Sequence, residues 1–351
     1  MNYMGFLMAK RKHEKDTFTA VWTESVRYDL IDEEIRKMLE TLNAEHLDPE
    51  SRVNLNDRKH RSLQRKFNHA QEGGRAGDEC TISIADLVGA PKWKFDTKEF
   101  GRAAQKLLAD GRNMNDLRRS RIYFEDTIHH SAQEQYRAFV KLIESVDKDG
   151  YIPVLKTRKV RLIPDKTDDY IRTSRPASGY AGAYHADIEI DIGKGNKAYY
   201  EIQAMPLAYE DIDTHSHMLF DIIRQLDEIP EPYRTPEQYQ IKQALMLMNG
   251  ALYDEEAIES GFISERKTRI KGISQEEKEL IDHIGNRLAR AINELPGRKL
   301  SWRKSTQDAL VFARSSVDNM FRWQENPHAR PVSFPKYALK PRPISIEHQA
   351  A

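Results

Sequence analysis

The chain has 351 residues, with 55 lysines and arginines against 55 aspartates and glutamates, and a single cysteine, Cys80. Equal charge leaves no global field to draw it to nucleic acid or an acidic membrane, so phosphate recognition must be local. One cysteine excludes an internal disulfide framework and a zinc site of several thiolates. Residues 1 to 16 place a short apolar run ahead of their basic cluster, the reverse of a secretory signal, and nothing approaches the roughly 18 consecutive apolar residues of a membrane helix, so a cytoplasmic protein is expected.

From Thr23 to Leu42 the residues Val26, Leu30, Ile31, Ile35, Met38, Leu39 and Leu42 recur at three- and four-residue intervals, which predicts a helix with one buried face. Charge, Asn and Gly dominate 43 to 78; the basic run at 58 to 66 fits a solvated helix and E-G-G-R-A-G-D at 72 to 78 a loop. Helical spacing returns at 98 to 108, and L-R-R-S-R-I-Y-F-E-D at 117 to 126 reads as a strand with Ile122 and Phe124 on one face. Ser131 to Val146 reads as a helix, and Tyr151 to Ile163, Ala183 to Ile192 and Lys197 to Gln203 as strands, the last two joined by Gly193-Lys194-Gly195-Asn196. Beyond Met218 four helices follow, at 219 to 226, 236 to 252, 274 to 295 and 306 to 323, with Ser274 and Glu277 spaced as a capping box. Five prolines from Pro327 onward predict an extended tail.

These elements predict an α/β fold, a mixed β-sheet flanked by helices with further helices at both ends. The division expected is a charged helical extension over 1–80, a core over 81–228, a helical region over 229–326 and the tail over 327–351.

The residues from Asp168 to Gln203 put a Gly-Tyr turn, a histidine and a strand-borne carboxylate within one hairpin. Taken singly, Tyr180 reads as a packed aromatic, His185 as a satisfied strand histidine, and Asp116 or Glu201 as a solvated strand end. Together they supply what phosphoryl chemistry asks of a protein: hard oxygen ligands, cations for phosphates and platforms for bases. The order D-L-R-R-S-R (116–121), D-Y-I (169–171), Gly179-Tyr180, His185 and E-I-Q (201–203) resembles the synthetase domain of the RelA/SpoT family, over about residues 90 to 226. The resemblance implies a nucleotidyltransferase-like fold and Mg²⁺-dependent transfer of pyrophosphate from ATP to the 3′-hydroxyl of a purine nucleotide.

By that resemblance Asp116 and Glu201 hold magnesium and carry catalysis, and Lys92, Lys94, Arg102 and Arg121 bind ATP and its phosphates. Gly179 and Tyr180 present a ring to the acceptor base, and His185 points toward the phosphates. GDP or GTP is the default acceptor, giving an alarmone such as ppGpp or pppGpp. Three departures stand out. One extra residue separates Gly179-Tyr180 from His185, Asp168 occupies the family's lysine position before D-Y-I, and Met205-Pro206 replace the segment that bears an arginine after E-I-Q. The second and third leave room for an adenine nucleotide or the 3′-end of a transfer RNA, as in toxic relatives. A catalytically dead binding module, RNA binding by the charged flanks and a homo-oligomer also stay open. His215 and His217 form a His-x-His pair without an evident third ligand for zinc.

Overall fold

The computed structural model describes residues 31–40, 74–97, 118–152, 159–173, 175, 177–193, 195–260 and 273–325. Asp116, Arg102, the predicted helix at 98–108 and the Pro-containing tail lie outside the described residues. In chain order the elements are helical residues 31–40 (α1) and 74–88 (α2), strands Lys92–Thr97 (β1) and Arg118–Phe124 (β2), helix Ala132–Glu144 (α3), and strands Val160–Asp169 (β3), Tyr184–Gly193 (β4) and Asn196–Pro206 (β5). Helices Tyr209–Glu228 (α4), Pro236–Glu259 (α5), Gln275–Glu294 (α6) and Leu300–Glu325 (α7) follow.

Among the described residues the strands form one mixed sheet in the order β1-β2-β5-β4-β3. Only β2 and β5 run parallel, with Arg119 opposite Glu201 and Arg121 opposite Gln203. Because successive side chains alternate across a strand, this register sorts the sheet into two unlike faces. Tyr184, Ala186, Ile188 and Ile190 of β4 share one face with Ile122 and Phe124 of β2 and with Tyr200, Ile202 and Ala204 of β5; all are buried and pack with Phe139 and Ile143 of α3 and Ile84 of α2. The opposite face carries Lys92, Lys94, Asp96, Arg119, Arg121, Glu201, Gln203, His185, Asp187 and Glu189. A strand that must bury one side and dissolve charge on the other is written H-A-D-I-E-I-D, as β4 is.

The glycines at 74 and 77, which predict a loop, instead lie within α2. A Cβ at Gly77 would strike the Tyr200 ring and one at Gly74 the Arg118 side chain, so both let the helix approach the sheet closely. That approach is fastened by the Tyr200 hydroxyl donating to Asp78 at 2.6 Å, by Arg118 pairing with Asp78, and by the Thr81 and Ser120 hydroxyls meeting at 2.7 Å. Similarly, α4 begins ten residues earlier than its apolar spacing predicts, because its first turns bury Tyr209 beside polar residues, Asp213 and Ser216, which break the hydrophobic stripe.

The second core joins α1, α4, α5, α6 and α7 through Ile35, Leu39, Ile223, Leu245, Leu252, Ile284, Leu288, Leu310 and Val317, all essentially inaccessible. Ser274 caps α6 as its sequence predicts, its hydroxyl accepting from Glu277 N at 3.2 Å while the Glu277 carboxylate accepts from Ser274 N at 3.0 Å. No described helix is long and apolar enough to cross a membrane.

One titration of this bundle is measurable. Burial, with Arg287 and Arg290 nearby, pulls the His283 pKa down to about 4. The folded value lies below the unfolded one near 6.5, so the unfolded chain takes the proton first. Stability from the neutral ring is complete above the unfolded value and is lost as pH falls toward the folded one. Burial also lowers His185 and His215, with the same sign. Urea unfolding at pH 7, 6 and 5 is expected to show falling stability on acidification, with a shallower slope in His283→Gln; an unchanged slope in that variant would assign the loss elsewhere.

Candidate active site

The polar sheet face is laid out in strand order. Lys92, Lys94 and Asp96 come from β1, Arg119, Arg121 and Tyr123 from β2, Glu201 and Gln203 from β5, and His185 and Asp187 from β4. Neighbouring strands stand about 4.8 Å apart, so Glu201 lies between a strand of cations and a strand bearing the histidine. The residue is 8% exposed, with Oε1 accepting from the Gln203 side-chain amide and lying 3.6 Å from His185 Nδ1.

On the cation side, Lys92 Nζ meets Glu210 at 2.8 Å and sits 4.9 Å from the centre of the Tyr123 ring. Arg119 donates to Asp96 Oδ2 at 2.7 and 3.0 Å. Arg121 is more deeply held: Nη1 is 3.1 Å from Asp213 Oδ2, and Nε donates to Gln203 Oε1 at 3.2 Å. Burial opposes its charge, but Asp213 and the Tyr123 hydroxyl overcome it and raise the Arg121 pKa. Asp213, which burial alone would push up, is held below its ordinary value by His217, 3.4 Å away, and by the Arg121 and Arg119 charges. Lys94 is exposed and makes no ion pair among the described residues.

On the acceptor side, Gly179 adopts φ +72° and turns the chain into Tyr180. The Tyr180 ring meets Tyr170, His185 and Tyr253 edge-on, at centroid distances of 6.0, 5.7 and 5.4 Å. Burial holds its hydroxyl proton well above the usual tyrosine range, so this oxygen, 3.5 Å from His185 Nε2, stays protonated. Burial lowers the His185 pKa, only partly opposed by Glu201, which keeps the imidazole neutral at neutral pH. The extra residue between Gly179-Tyr180 and His185 is absorbed at 181–183, ahead of β4, and the pairing of Tyr184 with Ala204 and His185 with Gln203 is regular. Asp168 accepts from the Tyr170 hydroxyl at 2.9 Å. Asp169 pins the entry to the turn: its carboxylate accepts from Tyr136 Oη and Arg172 Nε, each at 2.6 Å, and from the Ile171 and Arg172 amides.

The described residues named from the sequence, Lys92, Lys94, Arg121, Gly179, Tyr180, His185 and Glu201, therefore belong to one face and its rim. Asp187, the direct cross-strand neighbour of Glu201 and 7% exposed, was missed, although the alternation H-A-D in β4 places it on the side of His185. Asp213 was missed because it arrives from α4, with no local signal linking it to Arg121. His215 and His217 do not act as a pair: His215 stacks on Phe312 at 4.4 Å while His217 faces Asp213. Among the described residues no three His, Cys, Asp or Glu side chains gather as a metal cluster. Magnesium asks for less, one or two carboxylates with water and substrate phosphates completing its shell. Glu201 fits that demand, because its partners among the described residues both meet Oε1 and leave Oε2 for a cation.

No family model and no curated protein matches the chain. Among solved structures it is similar to the small alarmone synthetase 1 from Bacillus subtilis, at 16% identity and a TM-score of 0.34, over 60% of this chain and 100% of that one. The placement of the residues, rather than a likeness of that size, carries the functional reading.

Proposed function

We propose that the chain is a Mg²⁺-dependent pyrophosphoryl transferase that moves the β,γ-pyrophosphate of ATP to the 3′-hydroxyl of a purine nucleotide and releases AMP. One observation carries this reading: across the sheet, cations on β1 and β2, the Glu201 carboxylate on β5, and His185 with Tyr180 on the far side follow one another in the order that two nucleotides meeting at a phosphate would need. In the reaction the bond from the β-phosphorus to the oxygen bridging the α-phosphorus breaks, a bond from the 3′-oxygen to the β-phosphorus forms, and AMP leaves with the bridging oxygen.

Lys92, Lys94 and Arg119 would bind the triphosphate; Glu210 and Asp96, the carboxylate partners of Lys92 and Arg119, are partly exposed and cheap to displace. Arg121, fixed by Asp213, would offer its remaining donors to the same phosphates. Glu201 would take the proton of the 3′-hydroxyl, and neutral His185 with protonated Tyr180 would orient the acceptor. Magnesium, held by Glu201 with Asp116 or Asp187, would supply neutralisation of charge on the phosphoryl oxygens. GDP or GTP is the default acceptor, with an adenine nucleotide or a transfer RNA 3′-end as the alternatives that Asp168 and the Met205-Pro206 segment leave room for.

The test is product identification. ATP and Mg²⁺ are expected to give AMP only when an acceptor is added, with GDP, GTP, AMP and tRNA tried in turn and the product's mass raised by a pyrophosphate. The pairing of Lys92, Arg119 and Arg121 with carboxylates favours a second reading, a nucleotide-binding module without chemistry. Nucleotide binding by calorimetry with no acceptor-dependent AMP would establish that reading and end the first.

A further inference from the structure

The α5 helix is the middle of the apolar bundle, yet one stripe of it meets the turn ahead of β4. Met246, Asn249, Gly250 and Tyr253 recur at three- and four-residue spacing and face the turn that carries Tyr180. Asn249 is fully buried, and its Nδ2 donates to the Ser178 carbonyl at 2.8 Å. Gly179 lies against the helix backbone so closely that a Cβ there would overlap the Met246 carbonyl oxygen and come within 3.1 Å of Gly250 N. Three residues on, a Cβ at Gly182 would stand 2.7 Å from the Tyr253 ring. Tyr253 itself packs edge-on against Tyr180 at 5.4 Å and against Tyr209 at 5.7 Å, in a small cluster closed by Ala181 and Ala257. Both glycines of G-Y-A-G are therefore turned to the same helix.

We propose that α5 sets the position of the Tyr180 ring, with Asn249 and Tyr253 as positioning residues of the acceptor site. The C-terminal helical region is then a working wall of that site. A segment of irregular backbone, 178–183, gains its order from a helix whose other faces are locked in a core, so the turn is as rigid as the bundle behind it. Any event that shifts α5, such as a partner seated on the bundle, would be felt first at the acceptor turn, which α5 touches directly, and at the ATP side only through α4. This inference rests on Tyr180 as the acceptor platform.

Its test is built to fail separately from that premise. The full chain would carry Asn249→Ala, Tyr253→Ala or Tyr253→Phe, with Leu288→Ala as a cavity of similar cost in the same bundle but on α6. Amide exchange read by mass spectrometry needs no turnover: residues 178–183 are expected to exchange about tenfold faster in Asn249→Ala and Tyr253→Ala, while Tyr253→Phe and Leu288→Ala leave them near wild type. In the enzyme assay the acceptor KM is expected to rise about tenfold in the same two variants, with the ATP KM unchanged and Tyr253→Phe restoring it. Unchanged exchange in the turn, equal acceleration in Leu288→Ala, or the two KM values moving together would overturn the proposal. A wild-type protein that makes no pyrophosphorylated product removes the enzymatic premise alone, and the exchange data still decide whether α5 holds the turn.

Discussion

Glu201→Ala is expected to lower the rate of acceptor-dependent AMP release by about a thousandfold or more, the range lost when one carboxylate serves as both proton acceptor and metal ligand. The same change removes the acceptor of the Gln203 amide in a site 8% exposed, so some stability is lost as well, on the order of 1 kcal/mol. Glu201→Gln separates the two effects. It keeps the shape and an oxygen for Gln203 while discarding the charge, so its melting temperature should stay closer to wild type and its turnover should fall nearly as far as in the alanine variant. Chromatographic AMP release and thermal melts of the three proteins check this; a glutamine variant within tenfold of wild-type turnover would falsify the role of the charge.

Gly179→Ala should damage the protein in two ways whose sizes can be told apart. At φ +72° an alanine pays about 1 kcal/mol for the left-handed backbone. Its Cβ would also press on the Met246 carbonyl of α5, and a helix backbone cannot swing aside as a flexible side chain can. Together these are expected to cost about 3 kcal/mol or to push the turn off the helix, with acceptor affinity reduced about tenfold or more as Tyr180 moves. Gly193 is the comparator: φ is +92°, and a Cβ there meets nothing within 4 Å. Gly193→Ala should show the backbone strain alone. Equal loss of stability in the two variants would mean that contact with α5 contributes nothing.

What the residues disclosed in advance follows from the range over which each signal acts. Alternation is local, so β4 and β5 and the capping box at Ser274 are legible; the face shared by Arg119 and Arg121 follows from the period of two, and the structure has both opposite β5. Patterns that need a partner are not. The early turns of α4 and the start of α2, residues 74–78, carry no helical stripe because their small and polar residues answer to a sheet elsewhere in the chain, Gly77 to Tyr200 and Asp213 to Arg121. In the candidate site, motif order brings forward Glu201, Tyr180 and His185. Asn249 and Tyr253 stay hidden, since nothing in an apolar helix announces which of its residues will touch a turn more than sixty positions earlier, and Asp213 stays hidden because its partner Arg121 lies on a distant strand.

The strand order also carries a lesson about biosynthesis. Among the described residues β5 is the last strand of the sheet to be made and it lands in the middle, linking the β1–β2 pair to the β3–β4 pair. Until it docks, each pair is a two-stranded fragment, marginal in water, and the glutamate at 201 has not yet met the arginines of β2. On the proposed function, a nascent or misfolded chain without that strand would lack the assembled site, so ATP turnover is expected only once β5 has docked between the two pairs.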